Sequence, residues 1–171
     1  MKQLARKKAE RLKEKYDYVV GIDPDTEKSG VALYEVGEDV TLEKMSFAEI
    51  VDAMTAWGQR GRVMVQVEKG WSSKTFYHLS QGDKKEVAAK KGYEVGRNHQ
   101  TGILIVEMGR SLGVDVKEIN PLRKTWKGAD RKITHEEFVD EMRKYGIGYD
   151  GRRENQDERD AALIATAAVR I

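Results

Sequence analysis

Cysteine is absent from the 171 residues, which excludes a disulfide framework and any thiolate metal site. A reducing, cytoplasmic setting fits that absence. Proline is scarce, with two residues, and histidine little more common, with three. His78, His99 and His135 have no ligand spacing with one another and are read as non-catalytic, which sets aside a zinc site of the usual kind. No apolar run reaches membrane-spanning length, and the opening MKQLARKKAERLKEK is charged where a signal peptide would be apolar, so no membrane partner is expected. A strong overall charge is also missing, the formal net value being +2.

What is present is a chain long enough for one sizeable core, and 39% hydrophobic content places it among globular rather than disordered sequences. The charge is unevenly spread. Residues 1–15 carry seven Lys/Arg against two Glu; residues 69–97 carry seven against three acids; residues 117–132 carry six against Glu118 and Asp130. Basic blocks on a nearly neutral chain suit a polyanionic partner, although solvated surface produces the same pattern.

Residues 1–15 read as a basic arm or short helix, and residues 16–171 as a single domain with an insertion around 70–96. Apolar strands are expected at 17–23, 31–36, 40–47, 62–68 and 114–119, with Gly37-Glu38-Asp39 turning the second into the third. Helices are expected at 48–58, closed by Gly58, at 98–112, from the Thr134–Glu137 capping box to about Lys144, and at 156–170. The early meander should be antiparallel and the later, helix-linked strands parallel to the first. This is an α/β chain with one mixed five-stranded sheet and helices on both faces.

Two of those strands end on an acid. The stretch VVGIDPD runs straight from apolar residues to Asp23, and VMVQVE ends on Glu68. Parallel neighbours would bring both to one sheet edge. The last helix opens QDERDAA, where Asp157 and Asp160 are three apart and share a face. Four converging carboxylates repel one another, and a divalent cation relieves that repulsion. Oxygen-only donors suit Mg²⁺ or Mn²⁺, and a pair of such ions about 4 Å apart activates water at a phosphodiester. The same residues also suit an ordinary helix N-cap at Asp157 and an ordinary strand-end Asp.

The ordered stretches VVGIDPDTEKSGVALYE, VMVQVEKGW, YEVG before a helix, INPLRKTWKG and QDERDAALIA resemble the successive motifs of the RuvC-type Holliday junction resolvases, within the ribonuclease H-like nucleases, over residues 17–170. The longer 70–96 segment and the N-terminal arm resemble a phage-type or divergent member. The resemblance implies a ribonuclease H-like fold and a homodimer cutting four-way junctions or other branched DNA in recombination or repair. It implies that Asp23, Glu68, Asp157 and Asp160 hold two Mg²⁺ ions, with Mn²⁺ able to substitute. It also implies a base-stacking aromatic at Trp71 and a catalytic basic residue in the loop before the penultimate helix, assigned to Lys132 with Lys127 and Arg131 as competitors. Lys69, Lys74, Arg97, Arg123, Lys124, Lys127 and Arg131 are the expected DNA-binding cations. Three other readings stand beside it: a related nuclease for RNA or RNA–DNA hybrid, a non-catalytic nucleic-acid-binding module, and an actin-like phosphate loop at GIDPDTEKSG, for which the chain lacks a second such domain.

Overall fold

A computed structural model describes residues 1–72 and 82–170. Lys74, together with Phe76, Tyr77 and His78, lies outside the described residues. The strands are β1 (Tyr18–Asp23), β2 (Ser29–Glu35), β3 (Val40–Met45), β4 (Val63–Glu68) and β5 (Asp115–Ile119). They form one sheet in the order β3-β2-β1-β4-β5. β1 pairs antiparallel with β2, and β2 with β3; β4 runs parallel to β1, and β5 to β4. The sheet is therefore the mixed five-stranded one expected from the sequence.

β1 sits in the middle and is buried on both faces, which is why its apolar residues run without alternation. Val20 and Ile22 face α2 (Phe47–Arg60) and α3 (Lys85–Ser111), where Ile50, Met54, Trp57, Ile105 and Val106 complete one core. Val19 faces the other way, into a core built by α4 (His135–Tyr145), α5 (Gln156–Ala165) and α6 (Ala167–Arg170). Phe138, Met142, Ala161, Ala162 and Ala165 are the helical side chains at its centre, and Tyr34, Val36, Val40 and Leu42 are among its members from the sheet side. The basic N-terminal stretch forms α1 (Lys2–Lys13), which buries Ala5 and Ala9 on the α5 side of the sheet and keeps its charges outward.

Local signals explain the helix ends, with some displacement from expectation. α2 runs past Gly58 to Arg60, because the exposed Gly58 is tolerated inside a helix already anchored by Ile50, Met54 and Trp57. The Thr134–Glu137 capping box is present as expected, and Gly146 closes α4 in the left-handed conformation at φ 73°. Two further boxes were not foreseen, Ser46 with Glu49 and Asn155 with Glu158, and the second makes Asn155 rather than Asp157 the N-cap of α5. The expected single C-terminal helix breaks at Thr166, whose hydroxyl donates to the Ala162 carbonyl at 2.7 Å. α3 is much longer than the segment expected at 98–112 and extends back through much of the basic insertion.

An ion pair ties the start of β1 to the start of β4. Arg62 donates to both Asp17 carboxylate oxygens, from Nη2 at 2.9 Å and Nε at 3.2 Å, and its backbone N–H donates at 2.9 Å. Those bonds hold the Asp17 carboxyl down at about 2. A depressed folded-state value stabilises the protein above the ordinary carboxylate range, and that stabilisation is lost as pH falls from about 3.8 through about 2. Asp17→Asn should therefore melt below the wild type at pH 6, with the gap closing as the pH approaches 2. A gap unchanged by pH in paired thermal melts contradicts this.

Candidate active site

The site is built by register. Asp23 of β1 pairs with Gly30 of β2, and Gly30 pairs with Lys44 of β3. On the other side Ile22 pairs with Val67, so Asp23 and Glu68 end adjacent parallel strands at the same level. One row thus crosses the end of the sheet: Lys44, Gly30, Asp23, Glu68. All four positions project on the α5 face, since direct cross-strand partners share a face.

α5 lies on this row at very short range because the residues beneath it are glycines. A Cβ at Gly30 would stand 2.1 Å from the Asp157 carbonyl oxygen, and one at Gly21 2.2 Å from that of Ala161. The small Ala161 and Ala165 complete the close approach. This spacing brings Asp157 and Asp160, from the first turns of α5, over Asp23 and Glu68. All four acids line one cleft of about 240 Å³.

The electrostatics are those of crowded like charges. Burial pushes the Asp23 carboxyl well above its usual range, and Glu68, Asp160 and Asp157 add to the rise in that order, against a smaller opposing pull from Lys124. Burial also raises Glu68, opposed by the Leu122 backbone N–H, which donates to its Oε1 at 3.0 Å, and by Lys124. Lys124 is itself partly desolvated, yet the surrounding Asp160, Asp23 and Glu68 hold its ammonium protonated above the usual value. Two ammonium groups enter the cluster: Lys124 Nζ stands 3.3 Å from Asp160 Oδ2, and Lys44 Nζ 2.6 Å from Asp157 Oδ2. Among the described residues, no three acidic or histidine side chains are arranged around one point that an ion would occupy. The donor chemistry nonetheless fits a hard divalent cation: the acids present oxygen only, and Asp23 carries the repulsion that such an ion would relieve.

Of the expected DNA-binding and catalytic positions, Trp71, Lys124 and Lys132 line the cleft. Trp71 lies in a single turn of 3-10 helix, Gly70–Ser72, and its ring lies over Gly102 of α3, so it is partly engaged in the fold. Lys69, Arg97, Arg123, Lys127 and Arg131 do not line it. Arg97 lies over the Tyr93 ring on α3, with its carbon 5.5 Å from the ring centroid, and Arg131 takes up a left-handed backbone at φ 59° in the loop before α4.

Sequence reasoning missed Lys44, Asn98 and the cleft position of His99. Asn98 accepts from the Thr26 backbone N–H at 3.0 Å and from its hydroxyl at 2.6 Å, which latches the turn after Asp23 to α3. His99 stands beside Gly70, and His135 bonds the buried Glu154 at 2.9 Å, away from the cleft. Only Lys44 had a sequence signal: it continues the inward Val40, Leu42 alternation of β3. A larger cavity of about 440 Å³, between α1, Tyr34 and the Gly146 turn, holds single carboxylates and no acid cluster.

No protein-family model and no curated protein matches the chain. Solved structures do. The chain is similar to Thermus thermophilus RuvC in complex with a Holliday junction substrate, at 19% identity over 88% of this chain and 91% of that one, TM-score 0.49. It is similar to Thermus thermophilus RuvC alone, at 19% identity over 87% and 91%, TM-score 0.47. It is also similar to the yeast mitochondrial Holliday junction resolvase Ydc2, at 11% identity over 98% and 84%, TM-score 0.48. Identities this low leave each residue's role to be argued from the chain itself.

Proposed function

We propose that this cleft is the active site of a metal-dependent endonuclease of the RuvC type, acting on four-way junctions or related branched DNA. The observation that carries the reading is the meeting of Asp23, Glu68, Asp157 and Asp160, from three distant segments, in one cleft. Mg²⁺ or Mn²⁺ held by these four acids would supply Lewis acidity for water activation and leaving-oxygen stabilisation at a phosphodiester.

The chain's own residues do the rest. Lys124 and Lys132 place positive charge at the cleft wall, where the acids alone would repel a phosphate. Lys69, Arg97, Arg123, Lys127 and Arg131 are assigned to the flanking duplex arms. Trp71 is assigned to an unstacked base at the branch, a contact worth about 1–3 kcal/mol and present only where the duplex is open. Resolution of a junction needs two symmetric cuts, hence a two-fold dimer. Leu104 on α3 and Leu112 at its C-cap are exposed and support a dimer face there.

A second reading, cleavage of RNA–DNA hybrid, uses the same acids, because their chemistry is directed at phosphates and not at base or sugar identity. The first experiment is nicking of an end-labelled four-way junction in Mg²⁺, in EDTA, and in EDTA followed by Mn²⁺. Cleavage in both metals and none in EDTA is expected. Undiminished cleavage in EDTA removes the metal-dependent reading.

A further inference from the structure

Lys44 occupies a position that the fold sets up in detail. It stands in the same sheet row as Asp23, with only Gly30 between them. Gly30 has no side chain, and the Asp157 backbone rests directly over it. The lysine therefore reaches Asp157 unobstructed, and its Nζ lies 2.6 Å from Oδ2, with three quarters of its side chain shielded from solvent. This contact engages one oxygen of the Asp157 carboxylate, a donor that an ion in the cleft would also use.

We propose that Lys44 is a resident counter-ion of the cleft, neutralising Asp157 when no ion is bound and yielding it to an entering divalent cation, so that Lys44 sets the ion concentration at which the site fills. The inference rests on the metal-site reading above. An ion approaching Asp157 meets a unit positive charge already in place, and a few ångströms of separation make that repulsion substantial even where water screens it. Lys44 is a positioning residue here, acting on the ion through Asp157. A simpler role, pinning α5 to β3, would use the same contact and has different consequences.

The test is Mn²⁺ binding by calorimetry to the wild type and to Lys44→Met, which keeps an unbranched apolar stem and removes the charge, with Lys44→Gln as a second variant. The proposal expects the Mn²⁺ dissociation constant of both variants to tighten roughly tenfold. It also expects both to melt below the wild type in EDTA, with the gap closing at saturating Mn²⁺. An unchanged or weaker Mn²⁺ affinity, or a melting deficit that persists in Mn²⁺, overturns it in favour of the pin. Asp23→Asn separates the two levels of the argument. If Asp23→Asn binds Mn²⁺ as tightly as the wild type, the metal-site reading itself falls, and this inference with it; if Asp23→Asn loses Mn²⁺ while the Lys44 variants gain nothing, only the counter-ion role falls.

Discussion

Replacing Asp23 with asparagine is expected to abolish cleavage and to raise the melting temperature of the metal-free protein. Asp23 ends the central strand and shares the cleft with Glu68 and the two α5 aspartates, and burial together with their repulsion raises its carboxyl. The amide keeps the shape and removes a charged oxygen donor. Several kcal/mol of transition-state stabilisation depends on such a donor, which corresponds to a rate loss of about 10³-fold or more. The same change removes a buried charge that the fold tolerates at a cost. Relief of about 1–2 kcal/mol would raise the melting temperature by about 2–8 °C for a chain of this size. Mg²⁺ should then stabilise the wild type and leave the variant unmoved. Cleavage rates on a labelled junction, with melts in EDTA and in Mg²⁺, check both halves. Wild-type cleavage by Asp23→Asn contradicts the active-site assignment.

Gly30→Ala should be strongly disruptive for both stability and activity. The added Cβ would lie 2.1 Å from the Asp157 carbonyl oxygen, 2.4 Å from its carbon and 3.0 Å from the Glu158 nitrogen. All three are backbone atoms of a helix, so no rotamer change relieves the clash. Either α5 lifts from the sheet or β2 bends away. Overpacking of this kind costs about 3 kcal/mol or more, a fall in melting temperature of about 6–12 °C. The loss of activity should exceed what unfolding explains, because α5 carries Asp157 and Asp160 away from Asp23. Gly58→Ala is the natural contrast: its Cβ meets nothing within 4 Å, and a helical alanine in place of glycine should add about 0.5–1 kcal/mol. Melts of the two variants side by side, with junction cleavage below both transitions, make the comparison. Equal stability of Gly30→Ala and wild type would contradict the close packing of α5.

Much of this site was legible before any coordinates. Asp23 and Glu68 stand out because an apolar strand has no use for a terminal acid, and Asp157 and Asp160 because an i,i+3 acid pair precedes a run of small residues. Those are local patterns, and sheet register converts them directly into proximity. Lys44 escaped notice because its partner is 113 positions away and its neighbours Glu43 and Met45 look like ordinary strand surface. Asn98 and His99 depend on how a long helix crosses the sheet edge, which no periodicity encodes. The cap of α5 shows the same limit: Asp157 resembles an N-cap in isolation, and the Asn155–Glu158 box that takes that role is recognised only once the residues before it are seen to be non-helical.

The glycines carry a related lesson. Gly21 and Gly30 read in sequence as ordinary strand and turn residues, yet they set the depth at which α5 rests and hence whether two acid pairs become one cluster. Lys124 is comparable, reading as one more cation in a basic loop while standing within the acid cluster it balances.

The most direct measurement compares strand cleavage by the wild-type protein on a four-way junction, a flap, plain duplex and RNA–DNA hybrid, each in Mg²⁺ and in Mn²⁺, with the assembly state on the junction read in parallel. The account predicts a dimer that cuts the junction fastest, with paired nicks on opposing strands. A monomer on the junction, or faster cleavage of RNA–DNA hybrid than of any branched DNA, would contradict it.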